Sequence, residues 1–294
     1  MKKNLNENIS KELRNKVILI TGGAGSIGSE LAKTILEYPV KSVRVLDINE
    51  HALFKLKRSV NDERLKCLLG DILDKERTEM AMNYVDIVIN AAAIKNIEIS
   101  EFNPIETINV NINGVVNLIQ TSLRTKPKKF LNISTDKVAD ASTLYGATKQ
   151  LGERLTSWAG AHIQSTKFAS VRLGNVIETR GNVFEIWKEE AEKNIPLSIT
   201  DSKMERYYFH VNEAVDFILR CLTKIKQGEI FIPKMKSYKI IDLASKFSKK
   251  HKIIGLRQGE KLNEILITEA EKKIAVEEKN MWIINEYKKG IYLL

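Results

Sequence analysis

From Lys16 onward the chain alternates two textures: short apolar runs rich in β-branched residues, and longer stretches whose apolar positions recur every three or four residues. The first is the pattern of buried strands and the second of amphipathic helices. The short runs predict strands over 17–20, 42–46, 65–69, 86–90, 129–133 and 167–173, and the stretches between them predict helices near 26–37, 50–60, 75–82, 105–124 and 145–159. Such regular alternation is what a parallel sheet with helical crossovers requires, so the expected fold class is α/β, a doubly wound parallel Rossmann sheet. After Gly174 the rhythm shortens to a helix near 183–193, a strand near 197–199, a helix near 212–225 and a strand-like GEIFIP at 228–233. These pieces predict a smaller C-terminal substrate-binding cap over the carboxyl ends of the strands, where α/β sheets bind ligands. The expected division is a polar N-terminal arm over 1–15, a Rossmann domain over 16–174, and a mainly cap-forming region over 175–294 with some segments returning to the Rossmann domain.

Composition narrows the function classes. With 294 residues and 43% hydrophobic content the chain can bury one large core with an appendage, enough to enclose a cleft. The net charge of +10 is spread over scattered lysines with no nucleic-acid module, so nucleic acid is not an expected partner. A positive cleft that concentrates a nucleotide diphosphate uses the same charge. Cys67 and Cys221 lie far apart with neither disulfide nor metal spacing, and no metal site is expected. The first sixteen residues lack the apolar stretch of a signal peptide and no run of about 18 apolar residues occurs, so a cytoplasmic protein without a membrane span is expected.

Three motifs carry chemistry. An apolar strand runs through Thr21 into Gly22, Gly25, Ser26, Ile27 and Gly28 and then into a helix, the context in which glycines admit a dinucleotide pyrophosphate to a helix N-terminus. Asp47 ends the second strand nineteen positions after Gly28, where a carboxylate accepts from the adenosine ribose and repels a 2′-phosphate, which favours NAD over NADP. For Asp71 and Ile72 after the third strand, and for Ala91, Ala92 and Ala93 after the fourth, two readings stay open: cofactor contact, or ordinary loop and packing chemistry. In the third motif, Tyr145 and Lys149 stand four apart on one helix face, downstream of a strand ending in Thr135. A lysine ammonium beside the phenol lowers its pKa and makes it a base for a sugar hydroxyl, to which Thr135 can also donate. Asp136 and Lys137 follow at once. From the residues alone they are either a second acid/base system or a loop ion pair.

These segments resemble the extended short-chain dehydrogenase/reductase superfamily, and within it the UDP-N-acetylglucosamine 4,6-dehydratase branch. The motifs that carry the resemblance run from Lys16 to about Thr268: TGGAGSIGSEL, NAAAIKN, EFNPIETINVNINGVVNLI, ISTDK, YGATK, VRLGNV, ITDSKMERYYF, GEIFIPKM and GLRQGEKLNEIL. The resemblance implies a lyase in which Tyr145 takes the O4 proton while a hydride passes from C4 to NAD, Lys137 takes the C5 proton, Asp136 protonates the departing C6 hydroxyl, and the hydride returns to C6. It also implies that Lys95 and Asn111 meet the cofactor, and that Lys95, Asn175, Arg180, Arg206, Arg257 and Glu260 meet UDP-N-acetylglucosamine or a close UDP-sugar; surface or capping roles remain open for each. Two departures stand out: Met204-Glu205-Arg206 where the family commonly has MTR, which brings a carboxylate near a phosphate site, and Arg257-Gln258-Gly259-Glu260-Lys261 where it has RPGEK. Related enzymes pair through the helices near 105–124 and 145–159, so a homo-oligomer, dimer or hexamer, is expected. The competing functions are a UDP-sugar 4-epimerase, which needs Tyr145 and Lys149 but not Asp136 or Lys137, and a non-catalytic dinucleotide-binding regulator.

Overall fold

The structure is a computed structural model describing residues 2–179, 181–257, 259–285 and 287. Helix α1 (Lys2–Leu13) leads into β1 (Val17–Thr21), α2 (Ser26–Leu36), β2 (Ser42–Asp47), α3 (Glu50–Ser59), β3 (Leu65–Leu69), α4 (Lys75–Met82) and β4 (Ile87–Asn90). There follow α5 (Ile97–Phe102), α6 (Pro104–Ile108), α7 (Gly114–Thr125), β5 (Lys129–Thr135), α8 (Leu144–His162) and β6 (Lys167–Leu173). These strands run parallel in the order β3-β2-β1-β4-β5-β6, so the chain moves from β1 to one edge and then returns to the other side of β1 at β4. That reversal opens a crevice at the carboxyl ends of β1 and β4, the place where a doubly wound sheet binds its ligand. Across β1, β4 and β5 three buried polar side chains are linked: the Thr21 hydroxyl donates to Asn90 (2.6 Å) and the Asn90 amide donates to Asn132 (2.9 Å).

The segment expected as one helix over 105–124 is broken. A π-helical turn, Asn109–Asn113, separates α6 from α7. Asn111 is the buried residue of this turn. The expected polar arm is also a helix with an apolar seam: Ile9 and Leu13 of α1 are buried in the main core, and α1 packs on the later helix Val211–Lys224.

The remaining elements alternate between cap and sheet. Strand β7 (Asn175–Val176), α9 (Val183–Glu192), β8 (Leu197–Ile199) and β9 (Glu205–Phe209) build the cap, and α10 (Val211–Lys224) and β10 (Glu229–Pro233) return to the large sheet. The chain re-enters the cap with β11 (Ser237–Lys239), α11 (Ile240–Ala244) and β12 (His251–Ile253), then comes back through α12 (Glu269–Ile274), β13 (Val276–Glu277) and β14 (Met281–Ile284). Among the described residues the large sheet reaches nine strands, with β10 parallel to β6 and then β14 and β13 antiparallel at the edge. The cap has its own small core, in which the fully buried Trp187 packs with Leu197, Ile199, Met204 and Ile240. Its indole donates to the Ser198 carbonyl (2.8 Å), so the apolar ring is buried without an unpaired N–H.

Candidate active site

The glycine turn after β1 shapes a groove of about 250 Å³ lined by Ala24, Gly25, Ser26, Asp47, Asn49, Ala52 and Lys95. Gly22 has φ +61°, and a Cβ there would sit 2.6 Å from the Ala92 backbone, so neither the turn nor the β1–β4 approach tolerates a side chain. Gly25 stands at the N-cap of α2 without a side chain to occupy the helix end. The Asp47 carboxylate is fixed by the backbone N–H groups of Ala24 and Asn49, both at 3.0 Å, and faces this groove. A bare helix end, a floor without side chains and a carboxylate at the strand end fit a dinucleotide: the first two admit the pyrophosphate and the third the ribose hydroxyls. Ile27, Ala91 and Ala93 face the adjoining larger cleft, while Ala92 lies behind Gly22.

Three of the expected cofactor residues have partners within the protein. Ile72 is buried and packs on Gly114, so its side chain belongs to the core. The Asp71 carboxylate is taken by the Leu73 backbone N–H (2.9 Å). Asn111 accepts from the Ile94 N–H (2.9 Å) and donates to the Ile94 carbonyl (2.9 Å) and the Thr148 hydroxyl (3.0 Å). Buried and fully occupied, Asn111 clamps the loop that carries Lys95 onto α8 and does not line either cavity.

The larger cleft, about 500 Å³, lies between the carboxyl ends of β4, β5 and β6 and the cap. Strand β5 ends in Ser134-Thr135 and passes into a 3₁₀ turn, Asp136–Val138, while Thr143 caps α8 by accepting from the Gly146 N–H (3.1 Å). A Cβ on Gly146 would meet the Lys137 carbonyl at 2.5 Å; its absence lets the first turn of α8 lie directly on the 3₁₀ turn. Tyr145 and Lys149 are thereby brought into one wall with Thr135 and Lys137, all four lining the cleft. Asp136 lies just beneath that wall. Its Oδ1 accepts from the Thr135 hydroxyl and the Lys137 ammonium, each at 3.0 Å, whereas its buried Oδ2 has no hydrogen-bond partner.

The electrostatics differ from the expectation that Lys149 lowers the Tyr145 pKa. Burial raises the phenol above its ordinary value, and the opposing influences are the Lys137 charge and a hydrogen bond with Thr135. Lys149 is itself pulled down to about 8 by burial, against the charge of Glu153 one turn along α8. Burial also works against the Lys137 ammonium, but Asp136 and Glu264 outweigh it and hold that amine above its ordinary value.

The other expected substrate residues come from the loop after β4, from the cap, and from a strap made of Arg257 and residues 259–264, which lines the cleft. Lys95, Asn175, Arg206, Arg257 and Glu260 all line the cleft; Arg180 lies outside the described residues. Arg206 donates to the carbonyls of Glu205, Leu262 and Lys261 (2.8–2.9 Å) and faces Glu260 at 3.5 Å, so most of its guanidinium is engaged within the protein. Its guanidinium anchors the strap. The strap is tied on its other side by Arg257 to Glu98 (3.0 Å), Ser142 to the Gly259 carbonyl (2.7 Å) and Lys261 to Asp140 (3.0 Å). Glu205, expected to bring charge toward the phosphates, alternates to the other side of β9 and accepts from the Ser237 hydroxyl (2.8 Å).

Two cleft residues escape sequence reasoning. Glu264, largely buried, puts Oε1 3.9 Å from the Lys137 Nζ. Tyr208 lines the same cleft with its hydroxyl pushed up to about 12 by burial, against the charges of Arg206 and Lys137. Glu264 is in the GEKLNEIL run and Tyr208 is two residues after Arg206 on β9, but neither position carries a local signal that it will meet the end of β5. Among the described residues no group of three or more His, Cys, Asp or Glu could hold a metal ion, and no helix is long and apolar enough to cross a membrane.

A family profile described as "Polysaccharide biosynthesis protein" matches residues 18–286. An uncharacterized membrane protein of Methanocaldococcus jannaschii is 42% identical over 96% of this chain and 89% of its own. A UDP-N-acetylglucosamine 4,6-dehydratase (inverting) of Campylobacter jejuni is 39% identical over 92% and 83%, and a UDP-glucose 4-epimerase of Rickettsia massiliae 32% identical over 87% and 79%. Among solved structures, Pen from Bacillus thuringiensis superposes with a TM-score of 0.89 at 33% identity, covering 94% of this chain and 89% of that one. The dTDP-glucose 4,6-dehydratase DesIV of Streptomyces venezuelae, solved with NAD, has the same fold at TM-score 0.77 and 20% identity, covering 87% and 90%.

Proposed function

The chain belongs to the polysaccharide biosynthesis protein family, within the extended short-chain dehydrogenase/reductases, and from that premise we propose that it is an NAD-dependent UDP-N-acetylglucosamine 4,6-dehydratase. The observation that carries the reading is the Asp136–Lys137 pair, buried at the carboxyl end of β5 beside Tyr145. A simple oxidation or a 4-epimerisation needs one base at O4; a second, adjacent acid and base are what an elimination across C5 and C6 requires. The name of the Campylobacter relative supports both the substrate and inversion at C5.

The glycine turn, Asp47, Lys95, Tyr145 and Lys149 would hold the cofactor, with the Asp47 carboxylate discriminating against a 2′-phosphate. When bound, the nicotinamide would supply a hydride acceptor for C4 and a hydride donor for C6, where the return is completed by a solvent-derived proton at C5, so net redox is zero. Tyr145 removes the O4 proton, and the 4-ketone that results acidifies the C5 hydrogen. Lys137 takes that C5 proton as the C6–O bond breaks. Asp136 is the acid for the departing hydroxyl, and since Thr135 stands between it and the cleft, the Thr135 hydroxyl passes the proton on.

Incubation of the cofactor-loaded protein with UDP-N-acetylglucosamine should yield a product lighter by one water in the mass spectrum; an unchanged mass contradicts the reading. The Rickettsia relatives favour a second reading, a UDP-sugar 4-epimerase. Asp136→Asn separates the two: an epimerase keeps most of its turnover, whereas a dehydratase loses about 10²- to 10⁴-fold and accumulates reduced cofactor.

A further inference from the structure

The elimination just described, on which this inference rests, needs Lys137 as an amine and Asp136 as an acid, yet Lys137 is held as an ammonium. Its Nζ lies 3.0 Å from Asp136 Oδ1 and 3.9 Å from Glu264 Oε1, with the two carboxylate side chains nearly inaccessible to water. Two carboxyls share one ammonium at close range, and Arg206 and Lys261 act on Glu264 less strongly than Lys137, so one negative charge in this largely buried site is only partly compensated. Such a charge is costly to bury, and the carboxyl farther from the cation is the one relieved by binding a proton. Glu264 is that carboxyl, and burial accordingly raises its pKa above the ordinary value. It is also rigidly placed: Asn263 bridges to Glu205, the Lys261 and Leu262 carbonyls are held by Arg206, and the Leu266 carbonyl by Arg172.

We propose that Glu264 is a positioning residue that gates the elimination by setting the proton arrangement of the Asp136–Lys137 pair. Ionised, Glu264 adds a second negative charge beside Lys137 and locks the pair as carboxylate and ammonium. Protonated, it releases that lock, and the Lys137 proton crosses the 3.0 Å hydrogen bond to Asp136. The amine of Lys137 then takes the C5 proton; the C5–H electrons form the C5=C6 bond, the C6–O electrons leave with the hydroxyl, and the Asp136 proton, passed through Thr135, makes that hydroxyl water. The charged groups acting on Glu264 are Lys137 and Asp136 from the 3₁₀ turn, Arg206 from β9 and Lys261 from its own strap; Tyr145 from α8 acts on Lys137.

The test is a single turnover of NAD-loaded protein with UDP-N-acetylglucosamine across a pH series, following cofactor reduction by absorbance and water loss by quenched-flow mass spectrometry. In the wild type, water loss should slow about tenfold per pH unit above the Glu264 titration, while in Glu264→Gln it should vary by less than about twofold over the same range. Glu264→Asp, which restores a titrating carboxyl, should restore the alkaline fall. A second readout needs no substrate. A raised carboxyl pKa contributes stability present at low pH and lost as pH rises through the folded value, so the melting midpoint of Glu264→Gln should gain on the wild type as pH rises. An alkaline fall that persists in Glu264→Gln, or an equal loss of cofactor reduction and water loss, overturns the proposal. A wild type that reduces cofactor but never loses water overturns the dehydratase reading and this inference with it, whereas dehydration with an unchanged Glu264→Gln profile overturns the inference alone.

Discussion

At the scale of single residues, chemistry here depends on how far each charge is from water. Lys149 carries the clearest signature: its pKa falls from 10.5 to about 8 because it is buried on α8. A depressed folded value contributes stability present above the unfolded pKa and lost as pH falls through the folded one, so the wild type should weaken between pH 10.5 and about 8. Lys149→Met, measured by melting at stepped pH, should therefore gain on the wild type across that window, by up to about 3 kcal/mol, while losing about 10²- to 10⁴-fold in turnover. Gly22→Ala should weaken NAD binding, read by calorimetric titration, and lower the melting midpoint as well, because its Cβ would fall 2.6 Å from the Ala92 backbone and push the turn off β4. The glycines and the Thr135, Tyr145 and Lys149 set were legible because their meaning lies in local spacing along one strand–turn–helix unit. Asn111, Ile72 and Glu264 were not, because what each does is decided by partners that tertiary packing supplies: Ile94 and Thr148, Gly114, and Lys137.

At the scale of elements, two departures from pattern reading do the positioning. Residues 105–124 carry one continuous amphipathic pattern, yet the π-turn Asn109–Asn113 interrupts it so that an amide, not an apolar side chain, faces α8. Asn111→Leu would leave the Ile94 N–H and C=O and the Thr148 hydroxyl without their partner; a loss of about 1–3 kcal/mol is expected, with NAD affinity falling as the Lys95 loop loosens. Helix α1 was read as a polar arm because its composition is polar, but two apolar residues four apart, Ile9 and Leu13, suffice to seat it on the core. Glu12 adds an ion pair to Lys129 of β5 at 2.8 Å. Leu13→Ala should cost about 2–5 kcal/mol in denaturant unfolding, which a free arm would not.

At the scale of the whole molecule, Arg172 joins the sheet to the returning C-terminal segment. Buried at the end of β6, it pairs with Glu153 of α8 and Glu271 of α12, both at 2.8 Å, and donates to the Leu266 carbonyl. Arg172→Met would strand two carboxylates, one of them deep in the core, and should destabilise by about 3–5 kcal/mol. It should also free the strap that places Glu264 and Glu260 in the cleft lining. The nine-stranded edge was beyond sequence reading, since β13 and β14 are short and antiparallel and gain their meaning only from docking beside β10. Sheet, cap and strap together enclose the Asp136–Lys137 pair on which the dehydratase reading rests, and proton NMR of the reaction with UDP-N-acetylglucosamine in deuterated water tests that reading most directly. The account predicts a 4-keto-6-deoxy product with one solvent deuterium at C5 and inverted configuration there; a 4-epimer with no label at C5, or unreacted sugar, would contradict it.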